Sequence, residues 1–203
     1  MTKPATRDKI LQAALEVFAQ KGYHRALVDD IVRTSRTSKG AVYHHFPNKE
    51  ALFLALVDEF SARLAEAVAT GIAGAHGALG KVEAALTAGL ETFARHRDLA
   101  RILLLESVSL GPAYQGKRLE VHGRFAALIQ AYLDDAVAEG SIPPLDTRVA
   151  TLAWLGAVNE VVIQWLYSGR PDLMTEAVPA LTSSTERRSD RCLRADELFG
   201  SAS

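Results

Sequence analysis

The chain has 203 residues, a formal net charge of −1, 48% apolar residues and only 7% aromatic residues. The length suits one medium domain, or a small domain with a larger one. The composition favours a folded, all-helical protein over a disordered chain or a sheet protein. The single cysteine excludes an intrachain disulfide, and the first ten residues lack the apolar core of a signal peptide, so we expect a cytoplasmic protein.

Helical periodicity continues along the chain. The predicted helices span residues 6–21, 27–35, 38–46, 48–70, 81–96, 98–110, 113–139, 146–168 and 172–187. Their ends have local signals, with N-caps at Thr6 and Asn48, a helix start at Asp146 and stops at Gly22 and Gly169. The Gly- and Ala-rich segment 71–80 is predicted to be a connection.

These elements predict an all-α fold of about nine helices in two domains. Residues 1–47 form a three-helix domain with a helix-turn-helix, residues 48–181 form a larger helical domain, and residues 182–203 form a polar, flexible tail. Residues 1–50 contain nine Lys or Arg and five Asp or Glu, an excess of four positive charges, so the remaining residues have a net charge of −5. A basic end of this kind favours contact with a polyanion, although an imbalance of this size also arises by chance.

The second short helix, residues 38–46, has two chemically different sides. At about 100° per residue, Val42 and Phe46 lie on one side, and Lys39, Tyr43 and the gap at Gly40 lie on the other with His44. Thr37 and Ser38 can cap its amino end. This is the pattern of a recognition helix whose first turn enters the major groove of DNA. The adjacent His44 and His45 diverge on a helix and no other ligand has metal spacing, so we expect no metal and no cofactor.

Four stretches, Gly22-Tyr23, Val28–Ile31, Ser38–Phe46 and Pro47–Leu52, together closely resemble the TetR (tetracycline-repressor-like) family over about residues 6–55. The resemblance implies base contacts from Lys39, Gly40 and Ala41 and phosphate contacts from Tyr43, His45 and Lys49. It also implies a homodimer joined through residues 146–168 and 172–187. The full predicted DNA-binding set is Arg36, Thr37, Ser38, Lys39, Gly40, Ala41, Tyr43, His44, His45 and Lys49.

Two departures from the family pattern lie inside this stretch. Ala26 and Leu27 stand where the family usually has Thr or Ser, which removes a hydroxyl cap from the first short helix, a loss of about 0.5–2 kcal/mol. Asp29 and Asp30 are expected to compensate in part through the helix dipole. The turn reads Ser35-Arg36-Thr37 instead of Ala-Gly-Val, so Arg36 is strained if the turn needs a positive φ.

The larger domain is expected to enclose an effector pocket between its helices, with small Ala and Gly faces leaving room. The predicted lining is Phe60, Phe93, Leu103, Glu106, His122, Phe125, Trp154 and Asn159. Each polar member also has an ordinary interpretation as a core or interface side chain, and His122 in particular as a packed histidine. The helix at 146–168 is apolar nearly all round, which predicts burial on two sides, but Asn159, Glu160 and Gln164 make it a poor membrane span.

The sequence therefore predicts a DNA-binding transcriptional regulator, not an enzyme or a membrane protein. The favoured function is a homodimeric repressor that leaves a palindromic double-stranded operator when a small hydrophobic or amphipathic effector binds. The alternatives are a helical architectural DNA-binding protein without an effector and a helical protein-interaction adaptor. The sequence identifies neither the effector nor the operator.

Overall fold

The computed structural model describes residues 5–105 and 111–182, with the backbone alone at residues 111–113. All regular elements in these ranges are helices and none is a strand, which confirms the all-α fold. The helices are α1 (Thr6–Lys21), α2 (Val28–Ser35), α3 (Lys39–His45), α4 (Lys49–Ala73), α5 (Gly77–Arg95), α6 (Arg97–Leu105), α7 (Gly111–Ala138) and α8 (Thr147–Ser168). The last helix of the described ranges, α9, starts with the π-helical turn Leu173–Ala177 and is helical through residue 182. The predicted tail and Glu106 lie outside the described residues.

Helix ends form where the sequence signals stand. Gly22 takes a φ of 75° and its N–H donates to the Phe18 carbonyl at 2.9 Å, which ends α1. The Asn48 Oδ1 accepts from the Ala51 N–H at 2.7 Å, and the Asp146 Oδ1 accepts from the Val149 N–H at 3.1 Å. These contacts confirm the predicted cap of α4 and the predicted start of α8, where Asp146 is the N-cap.

Two local predictions are wrong. Thr6 is the first residue of α1 and not its cap, because the helix begins after Ala5, whose side chain has no acceptor. Segment 71–80 is mostly helical, since α4 continues to Ala73 and α5 starts at Gly77. A Cβ on Gly71 would lie 3.1 Å from the Ala84 carbonyl oxygen and 3.2 Å from the Ala88 Cβ. The small residues there bring α4 and α5 into close contact at Gly71.

The chain divides into two compact units. Unit one combines Met1–Arg63 with His96–Leu119, and unit two combines Leu64–Arg95 with Glu120–Ser203. This division differs from the predicted boundary after residue 47. The reason is that α6 packs on α1, and that the Tyr114 ring of α7 meets the Phe53 ring of α4 edge-on at 5.6 Å. Helices α4 and α7 are each continuous from one unit into the other.

In unit one, α1, α2 and α3 share a small core. Phe18, Ile31 and Val42 are fully buried in it, and Phe46 is 4% exposed. Helices of seven or eight residues are not stable alone, so α2 and α3 depend on this core for their helical state.

In unit two, α8 is buried on one side only. Val162 and Leu166 are fully buried, whereas Val149, Leu152 and Tyr167 are 54%, 61% and 69% exposed. The predicted burial on two sides is therefore absent within a single chain. By length and composition α8 could also cross a membrane, but a lone helix of this kind is weak evidence, because core helices of soluble proteins have the same properties.

Candidate nucleic-acid interface

Helix α3 has a buried rear and an exposed polar front. The Ser38 Oγ caps it by accepting from the Ala41 N–H at 3.1 Å. Val42 and Phe46 anchor the rear, and the Arg7 guanidinium lies 5.5 Å from the Phe46 ring. The exposed residues of the front are Lys39, Gly40, Tyr43, His44 and His45. This is the orientation that the sequence predicts for a recognition helix.

The turn between α2 and α3 is built around Arg36. Its φ of 55° and ψ of 39° are left-handed, and it is the one non-glycine residue with a positive φ in the described part of the chain. The Oγ of Ser35 and the Oγ1 of Thr37 are hydrogen-bonded to each other at 2.8 Å across this residue. The turn therefore does need a positive φ, and the left-handed backbone of Arg36 has a conformational cost. The Arg36 side chain extends into solvent.

Lys39 is paired with Asp29 in the DNA-free protein. The Lys39 Nζ lies 2.8 Å from the Asp29 Oδ1, and both side chains are largely exposed. The hydrogen bond from Lys39 to Asp29, together with the charge of Asp29, raises the pKa of Lys39. The pair links the first turn of α2 to the first turn of α3. Because the Lys39 side chain is 60% exposed, its ammonium remains accessible to an acceptor from outside the protein.

The start of α2 has a carboxylate where the hydroxyl cap is missing. The Leu27 N–H donates to the Asp30 Oδ2 at 3.3 Å, and the Lys21 Nζ lies 2.7 Å from the same oxygen. The Arg33 guanidinium contacts the other oxygen, Oδ1. The hydrogen bond from Lys21 is the main cause of the lowered pKa of Asp30. Asp30 therefore compensates for the apolar Leu27 by a direct hydrogen bond, while Asp29 pairs with Lys39.

Lys49, the predicted phosphate contact, has its ammonium engaged within the protein. The Nζ donates to three carbonyls of the loop between α1 and α2: Tyr23 at 2.8 Å, Ala26 at 3.1 Å and His24 at 3.3 Å. It also lies 4.4 Å from the centroid of the Tyr23 ring. Burial lowers the pKa of Lys49. Because an ammonium has three N–H donors, this geometry does not favour a phosphate contact.

The predicted effector residues are divided between the two units. Phe60 and Leu103 belong to unit one and are 5% exposed in its core. In unit two, His122 is exposed, so it is not a packed core histidine. The remaining described members of unit two are half-buried: Phe93, Phe125, Trp154 and Asn159.

One cavity of about 960 Å³ lies within unit one and is lined by residues of α1, α2, α4 and α6. Arg7, Gln12, Leu56 and Leu99 are among its lining residues, and the described effector candidates are not. Within residues 5–105 and 111–182, no three His, Cys, Asp or Glu side chains are grouped to hold a metal ion.

A recognition helix whose rear side is buried, and which follows a short helix and a tight turn, defines a helix-turn-helix DNA-binding protein. The chain matches the family described as bacterial regulatory proteins, tetR family, over residues 10–56, and the tetracyclin repressor-like C-terminal domain over residues 75–169. The transcriptional regulator UidR of Escherichia coli K12 is 30% identical over 142 residues, which cover 68% of this chain and 70% of UidR.

Two further proteins are similar over much of the chain. The transcriptional repressor AcnR of Corynebacterium diphtheriae is 37% identical over 134 residues, which are 66% of this chain but less than two thirds, 62%, of AcnR. The structure of the fatty acid degradation regulator FadR from Bacillus halodurans has a TM-score of 0.82 and 26% identity, and the match covers 91% of this chain and 96% of FadR. The chain belongs to the TetR family and is a DNA-binding transcriptional regulator.

Proposed function

We propose that the protein represses transcription as a homodimer that binds a palindromic operator and leaves it when a small hydrophobic or amphipathic molecule binds. The DNA-binding part depends on one observation, the two-sided build of α3. Val42 and Phe46 hold its rear in the core of unit one, and its amino end is exposed. A helix fixed in this way can enter a major groove without rearranging its own support.

The front of α3 supplies two kinds of DNA contact. Lys39, Gly40, Ala41 and His44 are proposed to meet base edges, and Lys39 exchanges its partner Asp29 for a base or phosphate oxygen. Contacts to the phosphate backbone come from residues around the helix: Arg36, Thr37, Ser38, Tyr43 and His45. These contacts set register, and the base contacts set sequence preference.

The exposed stripe of α8 supports a dimer. Val149, Leu152 and Tyr167 repeat at helical spacing and expose apolar surface that a second copy can bury. Glu160 and Gln164 lie on the same exposed side, hydrogen-bonded to each other at 2.7 Å. We propose that residues 146–168 and 172–187 of two chains form the interface.

The effector site is proposed within unit two. Phe93, Phe125 and Trp154 are half-buried and apolar, and the half-buried Asn159 can orient a polar group. The similarity to FadR, which is named as a regulator of fatty acid degradation, leads us to propose an acyl chain as the hydrophobic part of the effector. Helix α4 has 25 residues and is about 37 Å long at 1.5 Å per residue. Since α4 belongs to both units, a change in its direction on ligand binding would change the spacing of two recognition helices.

The role requires access to chromosomal DNA, so we propose a cytoplasmic location. We also propose that the protein has no enzymatic activity.

The proposed operator binding is tested by selection of bound fragments from random duplex DNA at a stated salt concentration. We expect a palindrome whose half-sites lie about 10 base pairs apart, centre to centre, or a multiple of that. Affinity should fall steeply as salt rises. Salt-dependent binding without a shared sequence would favour the architectural alternative, and no salt-dependent binding would favour the adaptor.

Two variants assign the contacts. Tyr43→Ala should weaken binding to all duplexes, because a phosphate contact is independent of sequence, and a Lys39 substitution should change which bases are preferred. Tyr132→Ala in unit two is the control for the loss of a tyrosine ring elsewhere. If Tyr43 and Lys39 variants remain folded and bind the selected duplex as the wild type does, α3 is not the recognition helix.

The effector is tested with a series of straight-chain fatty acids of increasing length. We expect affinity for the selected duplex to fall by about 5–150-fold at saturation with the preferred length, the usual range of coupling between two sites. A fatty acid that binds without changing operator affinity would contradict its role as the effector.

A further inference from the structure

The Lys49 ammonium closes the loop that precedes α2. This loop, residues 22–27, turns the chain from α1 into α2, and three of its carbonyls converge on the one cation at 2.8–3.3 Å. Tyr23 is half-buried and Ala26 is buried, so their carbonyls need donors, and here the donor comes from the first residue of α4. The loop and the start of α4 are therefore joined at a single point, which we call the Lys49 latch.

The ring under the latch is fixed in the core of unit one. The Tyr23 ring lies 5.5 Å from the Phe18 ring of α1 and 5.2 Å from the Phe53 ring of α4, between centroids. A cation over a ring held in this way gains further stabilisation from the ring quadrupole. The latch thus connects three elements of unit one, namely α1, the loop and α4.

We propose that Lys49 is a positioning residue for operator binding, whose latch sets the direction in which α2 and α3 leave α1. Helix α2 starts at Val28, two residues after the Ala26 carbonyl that the latch holds. A displaced loop would displace α2 and, because α2 and α3 share the core that buries Ile31 and Val42, it would displace α3 as well. This inference rests on the proposed operator binding and gives Lys49 a different role from the phosphate contact that the sequence suggests.

The same substitution at two cations of unit one separates the two roles. Arg36→Met removes an exposed cation that is proposed to contact a phosphate, so the slope of log K against log salt should become shallower by about 0.9 for each subunit bound. Lys49→Met should weaken operator binding about tenfold, a typical coupling between sites, and leave the salt slope unchanged. Loss of slope in Lys49→Met equal to that in Arg36→Met would overturn the proposal, and so would wild-type affinity.

Lys49→Arg keeps the charge but not the latch. A planar guanidinium cannot direct three donors at three carbonyls around one point, so we expect this variant to bind operator as weakly as Lys49→Met. A phosphate contact would instead survive the exchange of one cation for another. Wild-type affinity in Lys49→Arg therefore contradicts the latch, and this result decides the question even if Lys49→Met fails to fold.

Hydrogen exchange in the absence of DNA gives a readout of the loop itself. The Ala26 N–H donates to the Gly22 carbonyl at 3.1 Å and the Leu27 N–H donates to Asp30. Both amides should exchange faster in the Lys49 variants, while amides in the middle of α1 remain protected, and unchanged exchange at the loop would contradict the latch. If the wild type shows no salt-dependent operator binding, the proposed function fails and not the latch alone.

Discussion

Arg36 occupies a backbone conformation that glycine adopts without cost. A left-handed φ of 55° costs an L-residue about 1–2 kcal/mol, and this cost is present in every folded molecule. The sequence raised the question, because an arginine stands where related turns have glycine. The structure answers it, since the Ser35 and Thr37 hydroxyls are joined across the turn and the turn keeps its shape despite the arginine.

Replacing Arg36 by glycine should stabilise the protein. We expect Arg36→Gly to raise the free energy of unfolding by roughly 1 kcal/mol, the relief of the left-handed conformation less the added entropy of glycine in the unfolded chain. Arg36→Ala is the matched control, because it removes the same side chain but keeps the Cβ. Denaturant midpoints measure both, and an equal gain in the two variants would show that backbone strain is not the cause.

Asp30 predicts a loss of stability in acid. Its pKa in the folded protein is lowered from 3.8, so as the pH falls the unfolded chain takes up the proton first. The stabilisation is complete above about pH 3.8 and is lost as the pH falls through the lower folded value. Asp30→Asn should remove this part of the acid dependence in thermal melts, and a slope that persists in Asp30→Asn would assign it to other carboxylates.

Contacts between residues far apart in the chain were beyond the reach of the sequence. The outward face of α3 could be predicted, because a helix of known start and two apolar residues, Val42 and Phe46, fix its rotation. The engagement of Lys49 could not, because its partners lie 23 to 26 residues earlier and are backbone carbonyls, which leave no mark in residue type.

Helix ends were predictable where a side chain or a glycine acts within one turn. The starts of α4 and α8 are capped by Asn48 and Asp146, and the end of α8 is formed by Gly169. The hydrogen bonds at these three positions involve neighbours at most four residues away. The prediction for segment 71–80 is wrong because its glycines suggest a break, whereas alanine favours helix and the small side chains allow close packing. The decisive contact at Gly71 is tertiary, with α5.

A methyl group at Gly71 should force α4 and α5 apart. We expect Gly71→Ala to lower the free energy of unfolding by about 1–3 kcal/mol, because the nearest atoms are a backbone carbonyl and a Cβ that cannot turn aside. Gly80→Ala is the control within α5, since nothing lies within 4 Å of a Cβ there, and it should stabilise by about 0.5–1 kcal/mol. Thermal melts compare the two, and a stabilising Gly71→Ala would contradict the close contact.

The protein is proposed to work as a dimer, so the exposed apolar stripe of α8 must be buried against a second copy. Leu152→Glu puts a charge in the middle of the exposed apolar stripe, and we expect the mass measured by light scattering to fall to that of a monomer at micromolar concentration. Operator affinity should fall with it, because a monomer contacts one half-site only. A mass that stays dimeric would exclude this stripe as the interface.

Leu119→Glu is the matched control for this experiment. Leu119 is as exposed as Tyr167, at 69%, but it belongs to α7 and unit one. The same new charge there should leave the mass and the operator affinity unchanged. A dimer lost in both variants would indicate a general effect of the added charge.

Both tryptophans of the chain, Trp154 and Trp165, are in α8 and therefore in unit two. Emission excited at wavelengths where tyrosine does not absorb will follow that unit alone and will be silent when the recognition helix melts. Circular dichroism follows both units. Coincident midpoints from the two signals would mean that the halves unfold as one cooperative block, and separate midpoints would reveal a DNA-reading half that opens on its own.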